Sequence, residues 1–197
     1  MTSLLKPAVE YLLRNPPPAS HWSAHGFGFL RLHLTKTARM HVWNHHLLRE
    51  PDDVALIHNH SWTFASEVVV GAIFNTKYSL ARAGCGTAMD YVEIVDGKVT
   101  SSGVRFLKPG KTETFVGNPS MTGAVDYPST YEQTFDEIHY SQSWLGTVTV
   151  IEREFEAVDR GACVYWPVSE ARSIPEPRPT TDEEVKAVCE DSLRRWF

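Results

Sequence analysis

The 197-residue chain is poor in cysteine. Its three cysteines (Cys85, Cys163 and Cys189) lie far apart and form no CxxC pair. That spacing excludes a zinc ribbon and a disulfide framework, and it predicts free thiols in a reducing compartment. No apolar run reaches the roughly 18 residues that a membrane-spanning helix needs. Positive charge is not in excess: 19 basic and 24 acidic residues leave a net charge of −5. A nucleic-acid partner is therefore not expected, nor is a membrane. The first residues, MTSLLKPAVEYLLRNPPP, carry Glu10 within their apolar stretch and show no small-residue cleavage site, so a secretory leader is not expected. The predicted location is cytoplasmic. There is no internal repeat, and no G-x-S-x-G, phosphate-binding loop, dinucleotide fingerprint or HExxH is present.

What remains is an ordinary globular composition, 42 % hydrophobic and 22 % charged, with one irregularity. There are nine histidines, and six of them fall between residues 33 and 60.

Both ends of the chain read as helical. Residues 3–14 (SLLKPAVEYLLR) place leucines and Val9 at helical spacing, with Pro7 in the first turn, where its missing N–H costs little. The prolines at 16–18 stop that helix. Thr181 and Glu184 have the spacing of a capping box before a helix over 182–196, and a proline-rich linker (173–181) precedes it. Between the ends the period changes to two. Strands are predicted at 29–35, 40–44, 66–74, 91–95, 113–116 and 146–154. Asp96-Gly97 predicts a two-residue hairpin, and 108–111 (KPGK) predicts a turn. Many short strands without alternating helices predict an all-β antiparallel sandwich or barrel. The expected organisation is 1–27 as an N-terminal helix and connection, 28–172 as the β domain, and 173–197 as linker and C-terminal helix.

The chemistry concentrates at His58-Asn59-His60. Residues two apart on a strand share a face, so the two imidazoles would stand side by side as metal ligands. His58-x-His60, three residues, Phe64, six residues and Gly71 resemble the first motif of the cupin superfamily, with Phe64 at the usual glutamate position. Asp136-Glu137-Ile138-His139-Tyr140, followed by the strand from Gly146, resembles the second motif more loosely, because the family's glycine and proline are absent. The resemblance spans about residues 28–155. It implies a cupin-type antiparallel β-barrel (double-stranded β-helix, or jelly roll) carrying N- and C-terminal helices. It further implies one divalent metal on His58, His60 and His139. With no carboxylate in that set, the site is similar to those of the three-histidine thiol dioxygenases. The implied metal is Fe(II), with Zn, Ni, Mn and Cu as alternatives.

The remaining candidates follow from strand parity for Glu67, Glu137 and Arg31, and from side-chain type for the others. Glu67 is a possible fourth ligand if a bulge turns it inward. Glu137 and Tyr140 are candidate catalytic groups. Arg31, Arg105 and Arg153 are candidate clamps for a substrate carboxylate, and Arg31 leads because it shares a face with His33 opposite a leucine stripe. Trp62, Phe64, Tyr78, Tyr140 and Trp144 are candidate lining residues. His41, His45 and His46 raise a second metal site, although core or surface histidines are commoner in such a run. Residues 117–131 are expected to border the entrance.

The expected function is an Fe(II) oxygenase acting on a small, anionic or thiol substrate with dioxygen. The alternatives are a non-redox isomerase, lyase or hydrolase on the same scaffold, or a non-catalytic ligand-binding protein. A homodimer is compatible with the pattern.

Overall fold

The computed structural model describes residues 4–45, 56–117, 127–156, 161–170 and 177–197. Helix α1 (Lys6–Arg14) has Pro7 in its first turn, as its spacing predicts. After a short 3-10 turn, β1 (Trp22–His25), β2 (Phe29–His33) and β3 (Ala38–Trp43) form an antiparallel meander. Two residues of β4 (Ile57–His58) precede β5 (Trp62–Ala81), which runs for 20 residues. Then come β6 (Thr87–Val95) and β7 (Lys98–Gly117). They are joined by a hairpin in which Asp96 and Gly97 both have positive φ, the geometry that an Asp-Gly pair supplies cheaply. The chain continues through β8 (Thr130–Gln133), β9 (Ile138–Ser143), β10 (Val148–Glu156), β11 (Ala162–Pro167) and the two-residue β12 (Arg178–Pro179). Helix α2 (Asp182–Trp196) closes the described chain behind a complete Thr181–Glu184 capping box. No helix among the described residues is long and apolar enough to cross a membrane.

All the strand pairs are antiparallel. One run is β12-β1-β2-β3-β10-β5, and from β5 the pairings return on themselves through β7, β6, β11, β4 and β9 back to β5. Strand β5 belongs to both parts. Its first half pairs with β10 and β8, and its second half pairs with β7 and β9. The change falls at Gly71, which has φ +83° and lies opposite Gly117. A Cβ on Gly71 would come within 2.8 Å of the Thr147 Cα, so only glycine permits both the turn and the close approach. Thr147 completes the joint by donating its hydroxyl to the Ala72 carbonyl at 3.2 Å and accepting from the Ala72 N–H at 3.1 Å.

Alternation along β2 and β3 divides two environments. Leu30, Leu32, Met40 and Val42 form one layer with Val148, covered by Val9 and Leu13 of α1 and Val185, Val188 and Cys189 of α2. Each such buried side chain contributes roughly 1.5–3 kcal/mol of transfer free energy. The terminal helices therefore cover a sheet face rather than an open edge. The opposite positions (Phe29, Arg31, Arg39, His41 and Trp43) line an internal cavity. The sheet extends past 28–172 at both ends, through β1 and β12.

Residues 108–111 do not form the expected turn. They continue β7 as it pairs with β5, with Pro109 opposite Tyr78 next to a register shift. Strand β6 has already ended there, because its pairing with β7 stops at Leu107, so the missing Pro109 N–H leaves no β6 carbonyl unpaired.

Candidate functional site

His58 closes β4, where it pairs with Val164 of β11 on one side and with His139 of β9 on the other. His60 follows just beyond the strand end. Asn59 secures this short segment: its N–H donates to the Cys163 carbonyl at 3.0 Å, and its Oδ1 accepts from the Cys163 N–H at 2.6 Å. The two histidines are consequently not parallel neighbours on a long strand. Their rings meet edge to face, 84° apart, with centroids 4.8 Å apart. His139 lies 4.4 Å from His58 and 5.1 Å from His60, centroid to centroid. One ligand nitrogen from each of the three falls within 4.8 Å of the others, and this is the one potential metal-holding group among the described residues.

The protonation states follow from the hydrogen bonds. His58 Nδ1 lies 3.0 Å from the Leu56 carbonyl, and His139 Nδ1 lies 3.2 Å from the Glu137 carbonyl. A carbonyl only accepts, so each Nδ1 carries the proton and each Nε2 keeps its lone pair. Burial holds all three rings neutral. It lowers His58 and His60 well below the ordinary histidine range, helped by the charge each neighbouring imidazole would carry. His139 is lowered to about 4, chiefly by burial, with partial opposition from its bond to the Glu137 carbonyl and from the Glu137 carboxylate. Neutral imidazoles with free lone pairs are the form in which histidine binds a metal.

The trio forms part of the wall of a cavity of about 270 Å³. Phe64 stands edge-on to His60 at 5.1 Å. Trp62 packs on His60 at 4.8 Å and carries the Arg39 and Arg153 guanidinium groups 5.1 and 5.6 Å from its ring. Tyr131 and Tyr140 complete this side of the lining.

Arg31, Phe64, Trp62 and Tyr140 line the cavity. Others do not. Glu67 pairs with Val150, which packs against the helix-covered layer, and neither irregularity in the β5–β10 pairing falls at this pair, so Glu67 stays outside the histidine group. The Glu137 carboxylate turns away to Lys77 and to the Thr134 N–H, so that residue hydrogen-bonds His139 only through its carbonyl. Tyr78 lies beyond the Gly71 bend and packs beside Leu107 and Ile138. Arg105 sits over Tyr91 at 4.3 Å and reaches the Tyr165 hydroxyl at 3.4 Å. Arg153 lies over the Trp62 ring and donates to the Lys36 carbonyl at 3.3 Å. Trp144 is 40 % exposed and stacks on Trp196.

Among the described residues His41 belongs to no group that could hold a metal. It is buried in the same cavity, stacked on Phe29 at 4.2 Å. His45 borders a smaller, polar cavity, and His46 lies outside the described residues. So do residues 118–126 of the expected entrance segment; its last residue, Tyr131, lines the cavity. Sequence reasoning missed His25 and Arg39 as lining groups. Their signal was the same alternation that singled out Arg31.

No protein-family model matches the chain, and no curated protein matches it.

Proposed function

We propose that the protein is a cupin-type β-barrel enzyme that holds one Fe(II) ion on His58, His60 and His139 and oxygenates a small molecule in the adjoining cavity. The observation that carries this reading is the meeting of three neutral imidazoles, His58 and His139 buried and His60 half-buried, in the wall of a cavity, two of them with Nδ1 bound to carbonyls and Nε2 left to coordinate. The return of the strand pairings on themselves supports the barrel, and Gly71 supports the motif that the sequence resembles.

The donor set fits a divalent transition metal, which when bound supplies Lewis acidity and, for iron, one-electron chemistry with dioxygen. No carboxylate belongs to the group, so the site keeps the full charge of the ion and favours an anionic ligand atom. The protein's own residues provide the setting. Leu56 and Glu137 carbonyls fix two rings. Asn59 fixes the segment between His58 and His60 through its bonds to Cys163. Trp62 and Phe64 pack against the His60 ring and hold it in place. Tyr140 is the hydroxyl we assign to proton transfer, because it lines the cavity from the position after His139.

Metal analysis after anaerobic purification and Fe(II) reconstitution tests the first half: less than about a tenth of an equivalent of any transition metal overturns it. Oxygen uptake tests the second. A metal-loaded protein that turns over a substrate without consuming oxygen belongs instead to the non-redox isomerases, lyases or hydrolases.

A further inference from the structure

A continuous run of rings joins the histidine trio to the inner face of β2 and β3. His41 stacks on Phe29, with centroids 4.2 Å apart and planes 17° apart. Phe29 stacks on His25 at 4.8 Å and 14°. His25 lies against Phe27 at 4.8 Å, and Phe27 against His58 at 4.1 Å. Beyond His60 the cavity lining continues in Trp62 and Phe64. A wall of ring faces and edges favours a flat occupant with a π-system of its own, because aromatic pairs gain more than the area they bury. The size of the cavity holds that occupant to one ring. An apolar cavity of about 150 Å³ takes benzene. This one, at about 270 Å³, takes a single ring with short substituents.

His41 specifies a polar group on that ring. It is 6 % exposed, makes no hydrogen bond among the described residues, and has its Nε2 buried without a partner. An apolar side chain would fill the place beside Phe29 and leave no polar atom orphaned, so the histidine needs a reason outside packing. Burial keeps the imidazole neutral, with one N–H to donate and one lone pair to accept. A hydroxyl meets either nitrogen, by accepting from the first or donating to the second, whereas a carboxylate meets only the first. Arg31 is the register partner of His41 and is oriented by its 3.2 Å bond from Nε to the Ser23 hydroxyl. Its charge beside His41 favours an electron-rich oxygen there. No Asp or Glu lines the cavity among the described residues, so an ammonium group, the other usual guest of an aromatic cage, finds no counter-charge.

We propose that the cavity binds a monocyclic phenol, with its ring inside the aromatic wall and its hydroxyl hydrogen-bonded to His41 beside Arg31. Phenols are then the substrate class. That clause rests on the proposed metal site, while the binding itself rests on the cavity residues.

The test is calorimetric titration of the full-length, chelator-stripped protein with phenol, toluene, cyclohexanol and 2-naphthol. Toluene keeps the ring and lacks the hydroxyl, cyclohexanol keeps the hydroxyl and lacks the π-system, and 2-naphthol adds a second ring. Phenol should bind saturably and at least about tenfold more tightly than each of the other three. H41F should weaken phenol about tenfold or more and change toluene by under about twofold, and H41Q, which keeps a donor and an acceptor, should recover part of the loss. The proposal is overturned by any of four results: no saturable phenol binding at millimolar concentration, cyclohexanol or toluene as tight as phenol, 2-naphthol as tight as phenol, or an unchanged preference for phenol over toluene in H41F. If H41F fails to fold, a rise in wild-type Tm with phenol that equal concentrations of cyclohexanol and toluene do not produce carries the same decision. Because metal is absent throughout, an overturned metal site leaves this result unaltered, and a negative result here leaves the metal analysis unaltered.

Discussion

His58 and His139 are register partners across β4 and β9, and each bonds through Nδ1 to the carbonyl two residues before it. The same local device thus sets both rings, and the antiparallel register brings their free nitrogens together. Replacing either by alanine removes one donor of three. H58A, H60A and H139A should each lose metal affinity by about 100-fold or more, more than the loss typical of an outer hydrogen-bond partner. Metal content after dialysis against a weak chelator reads this directly, and a fully loaded H139A protein would remove His139 from the set.

The metal-free protein should lose stability in acid, with the onset near pH 6.5. His25 and His139 have pKa values lowered to about 3 and about 4 in the fold, while the unfolded chain holds them near 6.5. Below pH 6.5 the unfolded state therefore binds protons that the native state refuses. The penalty grows as pH falls, by up to about 1.4 kcal/mol per pH unit for each such group, until the folded value is reached. Above pH 6.5 neither state is protonated and these groups contribute no slope. Urea midpoints from pH 8 to pH 4.5 measure the effect; a flat profile between pH 6.5 and 4.5 contradicts it.

Gly71 and Gly84 have nearly the same positive φ, +83° and +80°, but different surroundings. A Cβ at Gly84 meets nothing within 4 Å, while one at Gly71 strikes the Thr147 side chain and backbone. G84A should cost about 1 kcal/mol, the conformational term alone. G71A should cost at least twice as much, about 2–5 kcal/mol, because the β5–Thr147 joint has to open. Equal losses for the two variants in chemical denaturation would show that the close approach carries no weight.

Thiol chemistry offers a separate check on packing. Cys85 is exposed, whereas Cys163 and Cys189 are buried. Burial raises both buried thiols, Cys189 to about 12, so neither offers thiolate near neutrality. A disulfide reagent at pH 7.5 should consume one thiol per chain rapidly and all three only after unfolding. Two fast equivalents would mean that one of these layers is open.

Local signals in this chain are strong where a single short segment decides the outcome. The Asp96-Gly97 hairpin, the Thr181–Glu184 cap and the α1 start need no distant partner, and each was readable from its own residues. His58 and His60 were readable from their H-x-H spacing and His139 from the motif its segment resembles, although His60 lies beyond the strand end and not on the shared strand face expected. What could not be read was which side of an alternating strand faces inward. Leu30 and Leu32 look like the interior face of β2, yet two helices more than 150 residues apart in sequence cover them, and Arg31 takes the interior. Arg39, His25 and His41 gain meaning only once that is known. Pro109 misled for a similar reason: its turn signal is genuine, but the lack of a β6 partner beyond Leu107 lets it stay in a strand. Glu137 was placed by parity, and Lys77 and Thr134 draw its carboxylate elsewhere.

The division of β2 and β3 between a helix-covered face and a cavity face has an evolutionary corollary. Odd and even positions of the same strands answer to different selective pressures. Leu30, Met40 and Val42 hold the sheet to Val185 and Val188, while Arg31, Arg39 and His41, each one residue along, contribute little to that layer. The inner set can therefore drift toward new ligands while the outer set keeps the scaffold standing. A mutational scan of the two sets should show tolerance alternating along the strand with a period of two.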